Sequence, residues 1–160
     1  MKKLNNILLS LLLVFSMIAC SAVTVIAQEV SVDQYIEILQ KNPKDAEAVF
    51  NVGVAYLNKK DLISAEEYFN KALVLYPEFS ETYAALGSIY YESNDYTKAI
   101  EFFKKAIEID PRDYNSIFYL GVSYNANGNK KASSEQVVKL KKIRRNHLSR
   151  DLEKIINKTT

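Results

Sequence analysis

Gly53, Gly87 and Gly121 stand thirty-four residues apart, in segments that read FNVGVAY, AALGSIY and FYLGVSY. Each glycine is followed three residues later by a tyrosine: Tyr56, Tyr90 and Tyr124. Downstream the register holds twice more, as Ala65, Phe69, Ala72, Pro77 and then Ala99, Phe103, Ala106, Pro111. A unit of this length cannot bury its apolar face alone, so such units stack on one another and leave an open surface.

Each unit carries two amphipathic helical patterns. Tyr83, Leu86, Gly87 and Tyr90 lie on one helical face. Asn94 and Asp95 then interrupt it, Asn tolerating the left-handed backbone of a tight turn and Asp capping the next helix. Lys60-Asp61 and Gly128-Asn129 hold the same slots. Tyr96, Ala99, Ile100, Phe103, Ala106 and Ile107 form the second pattern, which Pro111 ends because proline cannot continue a helix. Gly87, Ala99 and Ala106 let the two helices approach, while Tyr90 and Phe103 fill the space between them.

These residues resemble the tetratricopeptide repeat family, whose unit carries a large residue, Leu-Gly, Tyr, Ala, Phe, Ala and Pro in this order. Residues 80–113 match nearly slot for slot, with Tyr83 where tryptophan is usual. Residues 46–79 match with Val49 and Val52 in the large and Leu slots. Residues 114–147 match through Ile117, Leu120, Gly121 and Tyr124, then depart with Ser133, Val137 and Leu140 in the Ala, Phe and Ala slots. Tyr35, Ile38 and Pro43 fit the end of a unit that lacks its first half, so residues 28–45 read as a leading cap helix. The resemblance covers about two-thirds of the chain and implies an all-α fold: a short, right-handed α-solenoid of antiparallel helix pairs, capped at both ends. It is specific for fold and weak for function, since this fold serves many partners.

In this family the first helices of successive units line a concave face. The corresponding positions are Glu47, Phe50, Val54 and Leu57, then Glu81, Ala84, Ser88 and Tyr91, then Asn115, Phe118, Val122 and Asn125, with Asn51 and Tyr119 beside them. Each set repeats at helical spacing. The implied groove offers apolar and aromatic area with amides at its sides, which suits a peptide or helix with apolar anchors. No Lys or Arg occupies these positions, and Glu47, Glu81 and Glu92 would repel an acidic tail. A neutral or basic ligand is expected. A greasy concave face also permits a homodimer, or a groove covered by a terminal helix.

The two ends differ from the repeats. Lys2 and Lys3 precede an apolar stretch from Ile7 to Ala27, the layout of an export signal. Three readings of residues 1–27 stand. Val25-Ile26-Ala27 offers small residues before a cleavage at Gln28. Met17-Ile18-Ala19-Cys20 resembles a bacterial lipoprotein box in which Cys20 is lipidated. An uncleaved run near the ~20 residues that span a bilayer would be an anchor. Each places the protein outside the cytoplasm, periplasmic or membrane-associated. Cys20 is the only cysteine, so no disulfide forms within the chain. At the other end, residues 130–158 hold ten Lys/Arg against three Asp/Glu, whereas residues 28–129 hold nine against sixteen. Residues 148–160 are expected to be a basic capping helix and tail that covers the last apolar face. The alternative is a basic amphipathic helix on anionic lipid. Nucleic acid is not an expected partner of an exported chain.

Catalysis needs clustered groups with tuned pKa values. This chain has one histidine, His147, in its basic tail, no metal-ligand spacing of His, Cys, Asp and Glu, and four scattered glycines that form no phosphate-cradling run. Neither catalysis nor a cofactor or metal is expected. The reading is an exported adaptor of the cell envelope that binds a protein or peptide. A membrane-associated structural subunit that self-associates is the alternative.

Overall fold

The computed structural model describes residues 32–158. Eight helices follow in order: α1 (Val32–Lys41), α2 (Ala46–Asn58), α3 (Leu62–Leu75), α4 (Ser80–Glu92), α5 (Tyr96–Ile109), α6 (Tyr114–Ala126), α7 (Lys130–Lys142) and α8 (Asn146–Lys158). The described residues contain no strand. The expected all-α class and the order of a leading helix, three helix pairs and a closing helix are those observed. The apolar stretch before Gln28, and Cys20 within it, lie outside the described residues.

Side-chain caps set most helix starts. Asp45, Asp61, Asp95, Asp113 and Asn129 accept hydrogen bonds from the backbone N–H groups of Ala48, Ser64, Lys98, Ser116 and Ala132. Each satisfies a donor with no partner inside the helix and contributes about 1 kcal/mol. The paired helices turn through Lys60, Asn94 and Gly128, whose φ angles are 62°, 62° and 78°. The left-handed turn therefore repeats every thirty-four residues along with the hydrophobic pattern.

The glycines set the distance between paired helices. A Cβ on Gly53 would stand 2.6 Å from the Phe69 ring, and one on Gly87 would stand 2.9 Å from Phe103. Phe69 and Phe103 are buried, as are the small residues Ala65, Ala72, Ala99 and Ala106 beside them. Neighbouring units are tied by Tyr90, whose hydroxyl donates to Glu66 Oε1 at 2.5 Å while its ring stacks on Phe102 with 5.1 Å between centroids. The hydrogen bond to Glu66, helped by burial, pushes the Tyr90 phenol up to about 12.

The third unit reaches the same packing by another route. Val137 stands in the phenylalanine slot and is too short to cover Gly121 fully. Leu152 of α8, wholly buried, packs there instead: a Cβ on Gly121 would collide with its Cδ2. Ser133, in an alanine slot, donates its hydroxyl to the Gly121 carbonyl at 2.7 Å, so its buried oxygen has a partner. The loop before α8 also breaks the repeat. Pro43, Pro77 and Pro111 are thirty-four residues apart, and the next slot holds Arg145. There α7 ends in a tight turn through Arg144 at φ 61°, and α8 starts two residues ahead of the repeat register. It folds back onto both α6 and α7.

Two outcomes follow from these contacts. Gly121→Ala and Leu152→Ala each destabilise the fold, the latter by roughly 2–5 kcal/mol. The double variant loses less than their sum, by about 0.5–3 kcal/mol, because the shortened leucine makes room for the new methyl. Urea denaturation of the four proteins checks this, and strict additivity contradicts it. Tyr90 gives the second. Its folded pKa lies above the ordinary 10, so the stability it supplies is present below pH 10 and is lost as pH rises towards 12. Phenolate absorbance should show Tyr90 titrating near 12, and its titration should move to lower pH in Glu66→Gln.

Candidate functional site: the groove along the first helices

Two hollows lie along α2, α4 and α6. The first, of about 700 Å³, is lined by Lys44, Asp45, Ala46, Glu47, Phe50, Asn51, Tyr76, Phe79 and Glu81. The second, of about 410 Å³, is lined by Ser80, Glu81, Ala84, Ala85, Ser88, Phe103, Asp110, Asp113, Asn115, Ser116 and Tyr119. Glu81 belongs to both, so the hollows adjoin at the start of α4.

The aromatic wall of the first hollow rests on a broken local rule. Residues 45, 79 and 113 occupy one slot of the repeat, and two of them are the capping aspartates Asp45 and Asp113. The third is Phe79, which caps α4 with no side-chain hydrogen bond. Its ring lies 5.0 Å from that of Phe50 and 5.8 Å from that of Tyr76, and Phe50 rests in turn on Phe69 at 5.4 Å. Forgoing the cap costs about 1 kcal/mol, and in exchange an aromatic ring stands at the mouth of the hollow. Tyr76 and Phe79 were not among the residues expected here from sequence. Their signal was the departure of Phe79 from the repeat.

Glu47, Phe50, Asn51, Glu81, Ala84, Ser88, Asn115 and Tyr119 line the hollows. The hydroxyl of Ser88 donates to the Ala84 carbonyl at 3.1 Å, which turns it towards its own helix. Val54 and Leu57 are half-buried and pack on the cluster of Phe69 and Leu86. Tyr91 and Phe118 pack on the cluster that contains Leu152. Burial, with Tyr96 and Tyr119 nearby, pushes the Tyr91 phenol up. Val122 and Asn125 are 7% and 5% exposed and do not form an open wall. Val122 belongs to the same core cluster as Leu152 of α8, which packs against α6.

The electrostatics are one-sided over the first two units. Asp45, Glu47 and Glu81 border the first hollow beside the single Lys44, and Glu81, Asp110 and Asp113 border the second with no Lys or Arg. Basic side chains come only beyond it. A smaller hollow of about 280 Å³ shares Asp113 and Asn115 and adds Arg112, Arg145 and His147. Arg145 stacks its guanidinium 4.1 Å above the Tyr114 ring. Among the described residues no group of three or more His, Cys, Asp and Glu could hold a metal ion, and no helix is long and apolar enough to cross a membrane.

Stacked helix pairs with an open, lined groove are the architecture of a repeat scaffold. Family models described as tetratricopeptide repeat match residues 46–79, 80–113 and 102–133, together spanning more than half of the chain. The chain belongs to the tetratricopeptide repeat proteins, whose repeats mediate protein–protein interaction and are typically non-enzymatic. No curated protein matches the sequence. Among solved structures it is similar to MamA, with a TM-score of 0.65 at 21% identity over 80% of this chain and 84% of that one. It is similar also to the N-terminal domain of stress-induced protein-1 (STI-1) from C. elegans, with a TM-score of 0.62 at 20% identity over 69% of this chain and 93% of the other. The Arabidopsis OM64 TPR domain gives 0.65 at 18% identity, over 72% and 96%. At these identities the likeness bears on the fold alone.

Proposed function

We propose that this protein is an exported, non-enzymatic adaptor of the cell envelope whose groove over the first two units holds a neutral or basic segment with apolar anchors. The observation that carries this is the first hollow, where Phe50, Tyr76 and Phe79 meet under a border of Asp45, Glu47 and Glu81. Aromatic rings give an apolar side chain a place to bury, and exposed apolar area of this kind marks interaction sites. The carboxylates favour Lys or Arg flanking that anchor and disfavour an acidic chain. Export rests on Lys2, Lys3 and the apolar stretch to Ala27, with cleavage before Gln28, lipidation at Cys20 or a retained anchor as its three forms. Contact with lipid through α8 would run on charge alone, because Leu148, Leu152, Ile155 and Ile156 face the core cluster.

The test compares synthetic peptides that share one Leu-Phe anchor and differ only in flanking Lys or Glu, titrated by fluorescence anisotropy. The Lys peptide should bind at least tenfold more tightly, about 1.4 kcal/mol, and raised salt should shrink the gap. Ala84→Leu, which fills the second hollow, and Phe79→Asp, which restores a cap while removing the ring, should weaken binding without lowering helicity. Tighter binding of the Glu peptide overturns the reading. Pull-down from cell envelopes with the parent and these variants then identifies the partner.

A further inference from the structure

We infer that the groove also receives a second copy of this chain, docked by the outer face of its α7. The inference rests on the ligand chemistry proposed for the groove. Val138, on the outer face of α7, is 65% exposed. Lys131 and Lys142, both exposed, stand seven residues before it and four after it, which puts all three on one helical face, with Ser134 and Glu135 between. That face presents an apolar anchor flanked by cations, the pattern the aromatic hollow and its carboxylates select.

Asp45 accepts from the Ala48 N–H and Glu81 from the Ser80 hydroxyl, but the charges of the two surfaces are not paired with opposite charges within the fold. Among the described residues the ion pairs are Lys41–Glu37, Lys60–Glu92, Lys71–Glu67, Lys98–Asp95, Lys105–Glu108, Lys141–Glu153 and Lys154–Asp151. None involves Asp45, Glu47 or Glu81 of the groove, nor Lys131 or Lys142 of α7. The segregation runs through the whole chain, since the acidic excess lies before residue 130 and the basic excess after it. Opposite charge at opposite ends of one array favours head-to-tail contact and sets its register. Such a contact is heterologous: each copy docked by its α7 still offers an empty groove, so assembly continues beyond a dimer.

Residues 32–160 form a compact unit of their own, so a protein starting at Gln28 carries both surfaces. In sedimentation velocity at low salt its average mass should rise with concentration past that of a dimer. It should return to monomer near 1 M salt, where the screening length falls to ~3 Å. A groove variant, Glu47→Gln with Glu81→Gln, and an α7 variant, Lys131→Gln, Val138→Ser and Lys142→Gln, should each keep the parental helical signal and associate at least tenfold more weakly. Mixed in equal amounts they should form a one-to-one pair and stop there, because only one intact α7 face and one intact groove remain between them. A parent that stays monomeric, association of parental strength in either variant, or a mixture no larger than its parts overturns the inference. If the parent is monomeric yet still prefers the Lys peptide, self-docking fails and the adaptor reading stands. If the preference is absent too, both fail.

Discussion

The fold depends on helices being allowed to touch where Gly53 and Gly87 have no side chain. At each site a phenylalanine ring from the second helix occupies the volume a Cβ would need. The rings are wholly or almost wholly buried, so the contact is both the closest approach of the pair and a large apolar burial. Side chains elsewhere can vary provided this contact recurs. That freedom lets α2, α4 and α6 carry a groove of mixed chemistry directly beside the contact, where Phe50 rests on Phe69 and Phe103 reaches the second hollow. The core contact and the groove therefore share a boundary rather than standing apart.

The repeat has to stop, and this chain stops it with a local change of rule. The third unit lacks the phenylalanine, and Leu152 supplies the missing volume from outside the unit. Proline is absent from the slot before α8, where Arg144 and Arg145 instead make a shorter turn. The terminal helix thus tips back onto α6 as well as α7. One consequence is energetic, since α8 buries Leu152 and brings Leu148, Ile155 and Ile156 onto the core. The other concerns the groove, since Val122 joins that core cluster while Asn115 and Tyr119 of α6 stay on the wall of the second hollow.

The sequence disclosed the fold because one contact was written twice in full, through Gly, Tyr, Ala, Phe, Ala and Pro, and a third time in part. Its record at the groove is uneven for a physical reason. Glu47, Phe50, Glu81 and Ala84 lie on helix faces whose direction follows from periodicity, and they line the hollows. Asp110, Tyr76 and Phe79 sit in the loops between units, where periodicity has no purchase. Val122 is buried in the cluster that also holds Leu152, a grouping across the sequence that the local pattern of α6 does not encode. Phe79 was the legible exception, since an apolar ring in a slot otherwise held by capping aspartates breaks a local preference, and such breaks concentrate where a site needs them.

Charge in this chain is sorted in the same direction as its repeats. Surface charges contribute little to the stability of a fold when they are exposed and screened, so folding alone gives no reason to separate the signs. Mixed signs would serve solubility as well and would lower the risk of association. On the proposed reading the separation serves encounter, because a groove bordered by carboxylates would gather cationic segments and repel acidic ones before any contact forms. On the same reading the aromatic hollow would then discriminate among those that arrive by the side chain they can bury. A two-step filter of this kind needs both features in one place, and the carboxylates of Glu47 and Glu81 border the rings of Phe50 and Phe79 in a single hollow.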